Sequence, residues 1–229
     1  MKQSAALMRA ESIAYCGLSI ALLTVSAWVT VPLGPVPFTL QTMMLVFVVL
    51  LLPPREALVS VFGYLALGAL GAPVFSGMKG GLASLLGPTG GFIVGFGLGA
   101  VAAVLVLKIW KAPAGTMCAR GGSASASGAL GARGNATSAS GAPTFSLSAL
   151  RAARIVGAAR NLVAAFALLV VSYLCGWAQL MAVAGLDPLA AFLAGIAPFV
   201  VLDVIKISVG AALAGAVRRA VPALRAKAA

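Results

Sequence analysis

Pro198-Phe-Val-Val-Leu-Asp-Val-Ile-Lys-Ile-Ser-Val-Gly210 is a helix-length apolar run that carries two charges, Asp203 and Lys206. Their i, i+3 spacing predicts both side chains on one helix face. Gly210 lies a further turn down and keeps that face narrow, so a neighbouring helix can approach closely. The chain holds only four acidic residues, and Asp203 is the only one inside a long hydrophobic run. A charge in a bilayer interior costs at least about 2.5–3.5 kcal/mol on insertion scales, so it is normally paired or functional. A self-neutralised structural pair is one reading of this stretch. A polar hook for a ligand is the other, and it is the working expectation.

The rest of the chain sets the solvent for that pair. Of 229 residues, 62% are hydrophobic and 9% charged, and the mean hydropathy is +1.09. This excludes a soluble domain and predicts an all-α integral membrane protein. The net charge of +12 does not point to nucleic acid, because the basic residues sit in loops between apolar runs, where membrane topology explains them. Histidine is absent, which removes His-based triads, relays and metal sites. Cys16, Cys118 and Cys175 show no CxxC spacing, so neither a disulfide framework nor a metal site is expected. The first apolar run is not followed by a small-residue cleavage motif and reads as a retained helix.

Six spans are predicted, at about 11–28, 40–52, 57–70, 92–110, 162–183 and 189–217, the last broken or kinked near Pro198. The second is short for about 30 Å of hydrocarbon, so it is expected to begin within the preceding loop or to sit at an edge of the bundle. Between the first two spans, Val31 to Thr39 contains three prolines, which block a helix and force a stiff, extended loop. The stretch 71–91 is too glycine-rich for a plain helix and too apolar for a solvated loop; a folded, partly buried loop fits it. No P-loop and no strand-borne GxGxxG occur, which excludes nucleotide binding by this chain. Residues 112–159 are rich in Ala, Gly and Ser and read as a flexible linker within a single membrane domain, with a basic surface helix possible over 148–160.

Charge fixes the orientation. With both termini cytoplasmic, the inside segments hold Lys2, Arg9, Arg55, Lys108 through Arg160, and Arg218 to Lys227, while the outside loops hold only Lys79. Thr39, Gln41 and Thr42 then start the second helix on the outer side, Thr89 starts the fourth, and Gln179 lies toward the outer end of the fifth. Asp203 and Lys206 fall in the outer half of the sixth. These polar groups converge beneath the proline loop and the glycine loop, which predicts an outward-facing pocket with apolar walls.

Four segments now occur in order: Pro35-Val-Pro-Phe-Thr-Leu-Gln-Thr42, Gly68-Ala-Leu-Gly-Ala-Pro-Val-Phe-Ser-Gly77, Leu86-Gly-Pro-Thr-Gly-Gly-Phe92, and Pro198-Phe with Asp203 and Lys206. In these the chain resembles the BioY family, the biotin-specific substrate-binding components of energy-coupling-factor (ECF) vitamin transporters. The resemblance covers nearly everything except 112–159. It implies a six-helix S-component fold in a bacterial inner (plasma) membrane, with a biotin site near the outer face closed by the two loops. It also implies a membrane coupling protein and two ATP-binding-cassette ATPases as partners, docked on the small-residue face of the first helix, here Gly17 and Ala21. Two positions depart from the family pattern: Leu202 precedes Asp203 where glycine is common, and Phe92 stands where tyrosine is common.

Biotin suits these residues chemically. Its fused ring needs an apolar slot, which Phe38, Phe75 and Trp177 can help to line. Asp203 can accept from a ureido N–H, Gln41 or Gln179 can complement the remainder, and Lys206 can donate to the ureido carbonyl or the valerate carboxylate. Thr39 and Thr89 complete the expected binding set. No catalytic residue, cofactor or metal is expected. The alternatives are another vitamin on the same scaffold, biotin uptake without ATPases, and an intramembrane enzyme pairing Ser208 or Ser60 with Lys206; Ser208 is on the wrong helix face for the last.

Overall fold

The computed structural model describes residues 2–32, 36–110 and 147–221. The proline-loop tip at 33–35, the expected linker up to 146, and the basic residues after 221 lie outside the described residues. The chain begins with helix α1 (Lys2–Trp28), followed by the two-residue strands β1 (Thr30–Val31) and β2 (Phe38–Thr39). Helices α2 (Gln41–Leu51) and α3 (Pro54–Ala69) come next. A 3-10 turn (Ser76–Met78) and the short helix α4 (Leu82–Leu86) lead into α5 (Gly90–Ile109). The last three helices are α6 (Leu147–Ala184), α7 (Pro188–Gly195) and α8 (Val200–Ala220).

Four of these helices carry stretches long and apolar enough to cross a membrane: Arg9–Trp28, Gly90–Ile109, Ile155–Ala184 and Val200–Ala220. Their outer faces expose Ile13, Leu18, Leu98, Phe166, Leu174, Val201 and Ile205, as expected where the surrounding medium is hydrocarbon. The chain also breaks at Pro198: α7 and α8 are separate helices, because proline cannot donate to the carbonyl one turn back.

Helix α2 corrects one expectation. It does not lie at an edge; it sits in the middle of the bundle, against α8, α1, α3, α5 and α6. Gln41, Thr42, Leu45, Val46, Val48, Val49 and Leu50 are all buried. At about 1.5 Å per residue, its 11 residues are about half the hydrocarbon thickness. A helix ringed by protein has no need to reach both interfaces. The expected linker, 112–159, overlaps α6 from Leu147, where the sequence also allowed a helix over 148–160. Residues from Leu147 onward are already helical, because the alanines that make this stretch look featureless are strong helix formers.

Glycine sets how closely the helices approach. Gly91, Gly95 and Gly99 recur every fourth residue on α5 and face the α6 backbone at Cys175, Ser172 and Leu168. A Cβ at Gly95 would lie 2.7 Å from Ser172 Cα. On the other side of α5, Gly97 meets Phe62 and Leu65 of α3. Gly210 of α8 faces the Met43 carbonyl of α2, so the narrow face read from the sequence is where those two helices touch.

Gly95→Ala is therefore expected to wedge α5 from α6 and cost about 1–3 kcal/mol, the usual range for overpacking. Gly157→Ala, whose Cβ would meet nothing within 4 Å, serves as control. Thermal unfolding in detergent should show a lower midpoint for the first variant only. Equal midpoints would contradict the glycine seam.

Candidate functional site

Asp203 and Lys206 share one face of α8 and form an ion pair, with Asp203 5% and Lys206 8% exposed. Two charges so deep need their remaining donors and acceptors met. Lys206 Nζ donates to the Thr39 carbonyl at 2.8 Å and stands 4.1 Å from the centre of the Phe38 ring. The Tyr173 hydroxyl of α6 donates to Asp203 Oδ2 at 2.5 Å. Among the described residues Asp203 Oδ1 contacts only the Lys206 ammonium, so one of its lone pairs keeps acceptor capacity.

The strand pair explains how Thr39 and Phe38 reach this point. Register Thr30↔Thr39 and Val31↔Phe38 folds the proline loop back antiparallel. That delivers a carbonyl and a ring to the lysine just before α2 begins.

A cavity of about 60 Å³ lies over the pair. Phe38, Phe92, Phe96 and Phe199 form its aromatic walls, and Thr39, Thr42, Ser172, Tyr173, Asp203 and Lys206 form its polar floor. Ser172 is 1% exposed, and its hydroxyl has no partner among the described residues. A buried hydroxyl without a partner is costly, so it marks a place where a ligand group or water belongs. The Phe92 ring meets Tyr173 edge-on at 6.4 Å between centroids. The phenol at this spot thus comes from α6, although position 92 itself carries none.

Of the residues singled out from sequence, Asp203, Lys206, Thr39, Thr42 and Phe38 come together at the cavity. Five others do not line it. Gln41 donates through Nε2 to the Tyr64 hydroxyl at 2.9 Å, which in turn donates to the Val74 carbonyl. Phe75 is buried against Tyr64 and beneath Gly68. Gln179 Nε2 donates to the carbonyls of Leu85 and Gly87, both at 2.7 Å, clamping the glycine loop to α6. Trp177 donates to the Pro188 carbonyl, fixing the start of α7. Thr89 precedes α5, and its carbonyl accepts from Phe92. These side chains shape the loops around the cavity.

Gly17 and Ala21 lie exposed on α1, and Gly17 borders a groove of about 890 Å³ between α1 and α3. The serine nucleophile alternatives lose their geometry: Ser208 donates to the Val204 carbonyl and Ser60 to that of Glu56.

Sequence reasoning missed Ser172, Tyr173, Phe96 and Phe199. One signal was available. Ser172-Tyr173 is a hydroxyl pair in the middle of an otherwise apolar α6 segment.

Comparison with known proteins places the chain in a lineage. A sequence profile of the BioY family matches residues 1–223. The probable biotin transporter BioY of Pyrococcus horikoshii is 32% identical over 199 residues, covering 87% of this chain and 91% of that protein. The biotin transporter BioY of Thermotoga maritima is 48% identical over 84 residues, 37% of this chain and 50% of that protein. The crystal structure of the S-component for biotin from an ECF-type ABC transporter superposes with TM-score 0.68 over 93% of each chain at 20% identity, which establishes a shared fold.

Lys206→Met leaves Asp203 buried with only a phenol for company, and is expected to cost about 3–5 kcal/mol of stability. Adding Asp203→Asn should recover part of that loss, because a neutral amide does not need the ammonium. Unfolding midpoints of the single and double variants form the cycle. Strictly additive losses would show that the two residues do not act as a unit.

Proposed function

The chain belongs to the BioY family, and from that premise we propose that it is a substrate-binding subunit that captures biotin at the outer face of a bacterial plasma membrane. It passes the vitamin inward with an ATP-driven coupling module. What supports this most is one observation: a buried carboxylate–ammonium pair beside an aromatic-lined cavity, with the Ser172 hydroxyl still lacking a partner among the described residues.

The ureido group of biotin offers two N–H donors and one carbonyl acceptor. Asp203 Oδ1 accepts an N–H, and Ser172 Oγ serves as the neighbouring partner. The fused ring lies among Phe38, Phe92, Phe96 and Phe199. A cavity of about 60 Å³ has room for a few waters and not for a bicycle. Admission therefore requires Pro37 to Thr39 to lift from Lys206. The lysine then exchanges the Thr39 carbonyl for an oxygen of the ligand, so its charge never lacks an acceptor. Gln41, Phe75, Thr89, Gln179 and Trp177 contribute by holding the two covering loops in place.

In this reading α7 and α8 together make one interrupted span, α2 and α3 complete a set of six, and both termini face the cytoplasm, as the distribution of basic residues requires. Gly17 and Ala21 on the open face of α1 present the docking surface for the coupling protein. The ATPases supply the nucleotide chemistry that this chain lacks a P-loop to perform.

Equilibrium binding to the detergent-purified chain should show biotin bound tightly and displaced by neither excess thiamine nor riboflavin. Displacement by either vitamin would assign a different cargo. Asp203→Asn and Lys206→Ala should each weaken biotin by more than about tenfold, since each leaves the other partner buried alone. Near-normal binding by both variants would remove the site assignment. Uptake measured in cells lacking the coupling module separates ATP-driven transport from uptake by this chain alone.

A further inference from the structure

A second cavity, of about 90 Å³, lies at the end of the bundle where α2, α5 and α8 terminate. Lys108, Arg160 and Arg218 all line it, together with Asn161 and apolar residues including Leu50 and Leu107. Three cations around one small cavity repel one another unless an anion sits among them. This chain has no side chain to supply it. Of the four carboxylates, Glu11 lies in α1, Glu56 accepts from Ser12, Asp187 caps α7 and Asp203 pairs with Lys206. None lines this cavity.

Helix ends account for part of the cluster. Lys108 is in the last turn of α5 and Arg218 in the last turn of α8, where a positive charge is favourable. Arg218 Nε also reaches the Leu51 carbonyl at the end of α2, at 3.4 Å. Arg160 has no such reason to be there. It lies well inside α6, its Nε is buried without a partner among the described residues, and its hydrogen bond among those residues is a 3.4 Å contact to the adjacent Asn161.

We propose that Lys108, Arg160 and Arg218 form a binding site for a single phosphate oxyanion, either the headgroup phosphate of an acidic lipid or free phosphate. Guanidinium forks match the oxygens of a phosphate, and a lysine adds a point charge. The cavity accommodates one tetrahedral group and little more. Ends of membrane-spanning helices are where lipid phosphates are commonly met, and Lys108 and Arg218 lie at such ends. The site lies away from the Asp203–Lys206 cavity and is independent of the choice of vitamin.

The test is thermal unfolding of the full chain in neutral detergent. One arm compares sodium phosphate with sodium chloride at matched ionic strength. The other compares phosphatidylglycerol with phosphatidylcholine in mixed micelles. In the wild type the midpoint should rise by roughly 3 °C or more with phosphate, phosphatidylglycerol or both, as expected for a ligand held by the folded state. Arg160→Gln should lose most of that rise, and Arg160→Lys should retain part of it. Arg219→Gln removes an exposed charge from the same helix end outside the cavity, and should keep the full rise. A rise with lipid alone assigns the headgroup; a rise with phosphate alone assigns the free anion. No rise in the wild type in either arm overturns the site, as does an equal rise in Arg160→Gln. If Arg160→Gln does not fold, the wild-type comparisons with chloride and phosphatidylcholine still decide.

Discussion

Burying Asp203 and Lys206 in an apolar bundle constrains everything around them. Desolvating each ion costs several kcal/mol, which mutual attraction offsets only when the leftover donors and acceptors are matched. The matches come from far along the chain: a carbonyl at Thr39, a ring at Phe38 and a phenol at Tyr173. To bring them in, the proline loop must double back as a strand pair, α6 must lie beside α8, and α2 must start directly beneath the loop. The central, short α2 follows from the same demand. It fills the space under the site, and its other end lies where Arg218 reaches the Leu51 carbonyl.

The close approach of α5 and α6 serves the same centre. Three glycines in a row along α5 let its backbone rest on that of α6 at Cys175, Ser172 and Leu168. Ser172 and Tyr173 are thereby held on the cavity side at fixed height. A wider seam would move the phenol off the carboxylate.

How much of this was legible depended on how unusual each residue was for its setting. A carboxylate and an ammonium at i, i+3 in an apolar run are rare, so Asp203 and Lys206 stood out, and Gly210 and Pro198 carried their local consequences with them. Gln41 and Gln179 were harder. A glutamine near a helix end suits a ligand and a loop carbonyl equally well, and sequence does not fix the direction of a side chain. In the structure their amide nitrogens bond the Tyr64 hydroxyl and the glycine-segment carbonyls. The burial of α2 had a signal, since a helix apolar on every side is normally surrounded by protein; short length suggested an edge and outweighed it. The helix from Leu147 was legible only as an alternative, because Ala with scattered Arg reads equally as linker and as helix. Tyr173 was missed because its partner lies thirty residues away.

The end of α1 with its hairpin and the glycine segment are joined to one another. Trp28 Nε1 donates to the Pro73 carbonyl at 2.8 Å, and the Thr30 and Ser76 hydroxyls share a hydrogen bond at 3.1 Å. The hairpin region and the glycine segment are thus tied at two points, and swinging one out alone means breaking those bonds. Escape of a bound molecule past both segments then needs these anchors to fail in the same fluctuation, and independent opening probabilities multiply. Long residence would come from this stitching between the loops, even if the contacts to the molecule itself were ordinary.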